Sequence, residues 1–153
     1  MLRVGILGCG TIAAKIADSL KGNKKAVIAG VASRERNKAK KFAAAHCPDA
    51  KVFTGYEKLA ASDEIDLVYI ATPNTYHYEH AIMCIKEYKN ILVEKPFAMS
   101  KAEADSIFFE AKNRGVFPSS ARASALFIVS LGIVVLVSIY FLLPPQSSLP
   151  CRV

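Results

Sequence analysis

Leu2-Arg3-Val4-Gly5-Ile6-Leu7-Gly8-Cys9-Gly10-Thr11-Ile12-Ala13-Ala14 decides the fold. Leu2–Leu7 is a short, nearly continuous apolar run, which reads as a buried strand. From Thr11 the spacing changes, with Ile12, Ile16 and Leu20 at i, i+4 and i+8, so a helix is expected over Thr11–Lys21. Between the two lies Gly8-x-Gly10-x-x-Ala13. In this pattern Gly8 permits the tight turn, Gly10 lets a pyrophosphate approach the backbone, and Ala13 lets the helix pack closely on the strand. The N–H groups that open the helix then face an anion, aided by the helix dipole. The alternative is a glycine turn with a purely structural role, and the strand–turn–helix context favours the dinucleotide reading.

The same alternation continues outward. Strands are expected at Ala26–Ala32, Lys51–Phe53, Leu67–Ala71 and Ile91–Val93. Helices are expected at Arg34–His46, Tyr56–Ala61, Thr75–Tyr88 and Ser100–Arg114. Ala81, Ile82 and Ile85 form the inner face of the third long helix. Ser100 with Glu103 forms a capping box for the last one, and Gly115 is its C-cap. Apolar strands separated by helices imply a parallel sheet covered on both faces, α/β and doubly wound. Ligands of such sheets bind at the carboxyl ends of the strands. That rule selects Gly8–Ile12, Ser33–Arg34, Thr72–Asn74 and Glu94–Pro96.

The end of the second strand bears on cofactor choice. An acid there accepts from the ribose 2′-OH of NAD. Here Ser33-Arg34 stands in its place, and Arg34 and Lys38, four apart, would share a helical face suited to a 2′-phosphate. NADP is therefore preferred, with NAD as the alternative, and a solvated basic face (Arg36, Lys40 and Lys41 are close by) as the structural reading. Lys95 would project from a strand end. A lysine so placed hydrogen-bonds a substrate hydroxyl or carbonyl, and serves as acid or base where its surroundings lower its pKa. The competing reading is a surface lysine in a loop.

Composition sets outer limits. The chain has 153 residues, 20 Lys+Arg against 13 Asp+Glu, 52% hydrophobic residues and a mean hydropathy of +0.26. Such a chain is neither disordered nor collagen-like. The basic residues are spread over several helices without aromatic interleaving, so a solvated surface, not nucleic-acid binding, is expected. Cys9, Cys47, Cys84 and Cys151 lack the paired spacing of a metal site, so no metal is expected. They read as thiols in a reducing compartment, and no signal peptide is recognised at Met1–Leu7.

Gly5–Ala13 (GILGCGTIA), Gly30–Arg34 (GVASR), Ile70–Ala81 (IATPNTYHYEHA) and Ile91–Ala98 (ILVEKPFA) occur in this order. Together they resemble the glucose-fructose oxidoreductase/inositol dehydrogenase/rhizopine-catabolism (Gfo/Idh/MocA) family. The Ser-Arg after the second strand most resembles its dihydrodiol dehydrogenase-like members. The resemblance implies an N-terminal Rossmann domain binding a nicotinamide dinucleotide, and a further α/β domain holding a sugar, polyol or related carbonyl substrate. It also implies roles. Gly8, Gly10, Thr11 and Ile12 would hold the pyrophosphate. Ser33, Arg34 and Lys38 would hold the adenosine ribose and its phosphate. Thr72, Asn74 and His77 would line the nicotinamide side. Glu94 and Lys95 are the Glu-Lys-Pro pair, with Lys95 catalytic.

The resemblance stops near Phe117, dividing the chain into a cofactor domain over 1–117 and a tail over 118–153. The tail carries only Arg122 and Arg152 as charges, and Ala125–Leu143 is uncharged. As a helix those residues would span roughly 28 Å, close to a bilayer's hydrocarbon core. Two accounts stand side by side: a C-terminal membrane anchor leaving the basic domain on the cytoplasmic side, or a frameshift or splice product in place of the enzyme's remainder. Two functions are also carried forward. One is an NADP-dependent oxidoreductase, inactive as this chain alone for lack of a substrate domain. The other is a non-catalytic nucleotide-binding module tethered to a membrane.

Overall fold

The computed structural model describes residues 1–120. Six strands form one sheet: β1 (Leu2–Leu7), β2 (Ala26–Ser33), β3 (Lys51–Thr54), β4 (Leu67–Ile70), β5 (Asn90–Val93) and β6 (Pro118–Ser120). Every pairing is parallel and the order is β3-β2-β1-β4-β5-β6. The order reverses between β2 and β4, on either side of β1, which is the switch point where such sheets open a crevice. The helices are α1 (Thr11–Ser19), α2 (Arg36–His46), α3 (Tyr56–Ala60), α4 (His77–Lys86) and α5 (Lys101–Arg114). A 3₁₀ turn at Asn74–Tyr76 precedes α4.

Successive strand residues point to opposite faces, so each apolar run feeds two cores. Leu7, Val68, Ile70, Ile91 and Val93 pack with Leu59 of α3, Ala81 and Ile85 of α4, and Ile107 and Ala111 of α5. Val4, Ile6, Val31, Tyr69 and Leu92 pack on the other face with Ala13 and Ala17 of α1 and Phe42 of α2. Both faces are thus covered, as the unbroken apolar runs require.

Several element ends differ from expectation, each for a local reason. Helix α1 buries Ala13, Ala17 and the following Leu20, while Ile12 is 48% exposed; the small alanines bring helix and strand close and turn Ile12 outward. Helix α2 begins at Arg36, not Arg34. The Ser33 hydroxyl accepts the Glu35 N–H at 3.4 Å, and Glu35 stays extended as the N-cap. Arg34 therefore precedes the helix, and the shared helical face expected for Arg34 and Lys38 does not form. Helix α4 ends at Lys86, just before Tyr88 adopts φ 57°. At α5 the Ser100 hydroxyl accepts from Glu103 N–H, and Gly115 takes the left-handed cap, both as expected. The Glu103 carboxylate, however, reaches back to Met99 N–H rather than to Ser100.

Strand β6 extends the sheet past the boundary expected at Phe117. Pro118-Ser119-Ser120 pairs with Ile91–Val93. Its position at the sheet edge tolerates the proline, which opens the strand. Among the described residues no helix is long and apolar enough to cross a membrane. The apolar segment 125–143 lies outside the described residues.

Candidate functional site

A parallel sheet brings all its carboxyl ends to one edge, so four of the loops singled out in the sequence meet there. Gly8, at φ 95°, makes the turn out of β1. A Cβ at Gly8 would lie 2.6 Å from the Ala71 carbonyl oxygen, so the loop after β1 is pressed against the end of β4. Gly10 differs. It is the N-cap of α1 with an extended backbone, and a Cβ built there would meet nothing within 4 Å. No side chain caps α1, and its first turn holds no acid. Thr11 and Ile12 are exposed in that same turn. The opening N–H groups of α1 are orphan donors beside open space, and an anion of pyrophosphate size fits that arrangement.

Basic groups stand beside this cradle. Arg34, at the end of β2, is exposed, and its guanidinium lies 6.0 Å from the centre of the Tyr76 ring. That ring comes from the loop after β4, so Arg34 and Tyr76 bridge the mouth of the crevice. Lys38 is exposed on the first turn of α2, and its charge acts on the Cys9 thiol inside the glycine loop. Burial nonetheless dominates and pushes Cys9 up to about 11. Ser33 is buried and turned to its own backbone.

The loops after β4 and β5 make the other half. Asn74 is exposed, whereas Thr72 and His77 are buried. The Thr72 hydroxyl is 2.9 Å from His80 Nδ1, and the Thr72 carbonyl is 2.8 Å from His77 Nε2. His77 Nδ1 is 2.7 Å from the Pro96 carbonyl. The polar atoms of Thr72 and His77 thus face inward, behind the surface they are expected to line. Glu94 receives the Tyr69 hydroxyl on one carboxylate oxygen and the Lys95 N–H, at 3.1 Å, on the other. Burial, reinforced by that carboxylate, raises the Tyr69 hydroxyl far above its ordinary pKa, so it remains a donor. Lys95 is exposed at the tip of this loop.

Three residues here escaped the sequence reading. Tyr69 and His80 are partners of site residues, and Tyr76 carries the Arg34 contact. His80 packs edge-on against Tyr56 at 4.7 Å and stacks on Tyr76 at 5.8 Å, and burial lowers its pKa. It is therefore neutral near pH 7. A second histidine in Tyr76-His77-Tyr78-Glu79-His80 was the one visible signal, but its partner Thr72 is set by the fold.

The strand order, the switch point beside β1 and the uncapped helix behind a glycine turn define a Rossmann-type α/β domain. The chain belongs to the GFO_IDH_MocA family (oxidoreductase family, NAD-binding Rossmann fold), whose family model matches residues 2–121. It is similar to scyllo-inositol 2-dehydrogenase (NADP(+)) of Bacillus subtilis (strain 168), 36% identical over 116 residues that take in 76% of this chain and 35% of the relative. It is also similar to trans-1,2-dihydrobenzene-1,2-diol dehydrogenase of Xenopus tropicalis, 35% identical over 102 residues, or 67% of this chain and 31% of that one. Among solved structures, a 3-ketoreductase from Actinomadura kijaniata in complex with NADP and TDP-benzene superposes with a TM-score of 0.74 at 28% identity. That match covers 78% of this chain and 37% of the ketoreductase. GenD2 from gentamicin A biosynthesis, in complex with NAD, gives 0.72 at 28% identity, covering 78% and 34%. The chain spans about a third of the length of the curated relatives it matches.

Proposed function

We propose that this chain is the cofactor-binding part of an NADP-dependent oxidoreductase acting on a sugar, polyol, diol or the corresponding carbonyl compound. The observation that carries this reading is the start of α1: no capping side chain, no first-turn acid, and open space over Gly10 at the sheet's switch point. Gly8, Gly10, Thr11 and Ile12 hold the pyrophosphate. Arg34 and Lys38 hold the 2′-phosphate, with Ser33 shaping the loop that presents Arg34. Asn74 stands on the nicotinamide side, and Thr72 shapes that wall through its backbone. NAD binds less tightly, because nothing at Ser33-Arg34 accepts from a ribose 2′-OH as an acid would.

When bound, the cofactor supplies a hydride acceptor or donor at nicotinamide C4. Lys95 Nζ then handles the proton. In the oxidative direction Lys95 Nζ would accept the proton leaving the substrate hydroxyl oxygen. In the reductive direction Lys95 Nζ would return a proton to the carbonyl oxygen. Glu94 fixes the backbone on the near side of Lys95. Turnover further requires a substrate held in near-attack geometry. Lys95 is exposed, with no layer over it among the described residues, and these residues by themselves are expected to bind cofactor with little or no turnover. The cofactor domain covers residues 1–117, and Pro118–Ser120 complete the edge of its sheet.

The test is fluorescence titration of the chain with NADPH and NADH, beside steady-state assay against sugars and diketones. Saturable NADPH binding that Arg34→Ala weakens supports the reading; absence of binding ends it.

A second reading concerns the segment after the sheet. Ala125–Leu143 carries no charge over 19 residues, which suits a bilayer anchor with Arg122 and the basic domain on the cytoplasmic side. The non-catalytic, membrane-tethered nucleotide-binding module is its functional form. Intact mass with peptide mapping across residues 115–122 asks whether this form is made in cells. Carbonate extraction then asks whether it is anchored: extraction into the soluble fraction would exclude an anchor.

A further inference from the structure

The loop that carries Lys95 is held from both sides. Upstream, the Glu94 carboxylate is fixed by the Tyr69 hydroxyl and by Lys95 N–H. Downstream, the Pro96 carbonyl lies 2.7 Å from Nδ1 of His77. His77 opens α4, is 0% exposed, and places Nε2 2.8 Å from the Thr72 carbonyl. One ring thus links the loop after β4 to the loop after β5. The N–H groups of an imidazole are the donors these two carbonyls require. A ring carrying both protons donates to both, while a neutral ring donates to one and only orients toward the other. The ring itself is fully buried, so it is held in place by the carbonyls it faces.

We propose that His77 is a positioning residue: through the Pro96 carbonyl it sets where Lys95 stands relative to the nicotinamide side of the crevice. It does so from behind the loop, without touching cofactor or substrate. The exposed Lys95 side chain has no hydrogen bond or ion pair of its own among the described residues, so its place depends on its backbone. The inference rests on the reading of Lys95 given above.

Two amide variants separate the two ring contacts. In His77→Asn the amide nitrogen reaches the place of Nδ1 and keeps the donor to Pro96. In His77→Gln it reaches the place of Nε2 and keeps the donor to Thr72. Each is titrated with NADPH on the full chain, reading affinity and the emission of the bound nicotinamide, with Lys95→Ala for comparison. The Phe97 amide resonance, whose peptide unit contains the Pro96 carbonyl, is followed without cofactor. Expected for His77→Gln is an affinity within about threefold of the parent chain, well under 1.4 kcal/mol. Its bound emission should move to that of Lys95→Ala, and its Phe97 amide should shift. His77→Asn should match the parent in all three.

His77→Gln matching the parent in emission and amide shift overturns the proposal, and so does equal impairment of both variants, which would make the ring a space-filler. Failure of the Lys95 reading is distinguishable. Lys95→Ala would then leave bound emission unchanged, and the Phe97 amide alone decides whether His77 holds the loop.

Discussion

Gly8 and Gly10 stand two residues apart in one turn, yet alanine at each should fail in a different way. At Gly8 the backbone has φ 95°, and a Cβ would lie 2.6 Å from the Ala71 carbonyl oxygen and 2.9 Å from its carbon. The left-handed conformation costs an L-residue about 1–2 kcal/mol. Overpacking against rigid backbone adds about 1–3 kcal/mol. Alanine's lower entropy in the unfolded chain returns about 0.4–1 kcal/mol. Gly8→Ala should therefore destabilise the fold by about 2–4 kcal/mol, a large share of the ~5–15 kcal/mol that holds a domain together. At Gly10 the backbone is ordinary and a Cβ meets nothing within 4 Å. Gly10→Ala should leave stability within about 1 kcal/mol of the parent, since a surface change far from strain or packing rarely does more. Its Cβ would instead occupy the space assigned to the pyrophosphate, and NADPH affinity should fall at least about tenfold, the equivalent of 1.4 kcal/mol. Urea unfolding followed by circular dichroism reads the first effect, and NADPH titration of the folded variant reads the second. The reasoning is refuted if Gly10→Ala binds NADPH like the parent, or if Gly8→Ala unfolds at the parent's urea concentration.

Other consequences are open to direct measurement. Arg34→Ala should weaken NADPH by about 10- to 100-fold, the worth of a charge-assisted bond of ~1.5–3 kcal/mol, and leave NADH nearly unchanged; parallel titrations with the two cofactors check this, and equal loss for both would remove Arg34 from the 2′-phosphate. Tyr69→Phe removes the donor to Glu94 and should cost about 1.5–3 kcal/mol in urea unfolding, while leaving the sheet's circular dichroism intact. The thiols give a pH signature. Burial pushes Cys9 and Cys47 up to about 11 and Cys84 up to about 12. Because the folded pKa values are raised, the thiol form is favoured in the fold, and the stability it contributes is lost as pH rises above the unfolded value near 9. Alkylation of Cys9 and Cys47 by iodoacetamide, read by peptide mapping, should climb about tenfold per pH unit from 7 to 9 without a plateau, because the thiolate is the nucleophile. A plateau near pH 8 would contradict the burial of these two side chains.

Much of this domain was legible in its residues because the signals were local. The apolar run of β1, the glycine turn and the amphipathic start of α1 each follow from a few adjacent side chains, and Leu2–Leu7 appears with the expected ends. The Ser100 cap and Gly115 stop are local in the same sense. What was missed depends on partners distant in sequence or on competition within a turn. Arg34 reads as helical by spacing, but the Ser33 hydroxyl takes up Glu35 N–H and delays the helix. His77 reads as a wall residue because it lies one turn into a helix near a strand end. Its burial comes from the Pro96 carbonyl, 19 residues on, which no periodicity reveals. Tyr69 looks like a core aromatic and is one, yet its hydroxyl ends on Glu94, 25 residues away. Strand β6 has proline and two serines, poor strand formers, and exists because β5 offers an edge. The site's motifs were thus readable, whereas the groups that hold the motifs in place were not.

The central claim is that the crevice at the carboxyl edge of this sheet takes a nicotinamide dinucleotide, with its pyrophosphate on α1 and its 2′-phosphate near Arg34. Titration of the full chain with NADPH and with NADH, followed by nicotinamide fluorescence, tests it most directly. The account predicts saturable binding of one NADPH per chain, several-fold tighter than NADH, and weakened at least about tenfold in Gly10→Ala. No saturable binding of either cofactor to the folded chain would contradict it.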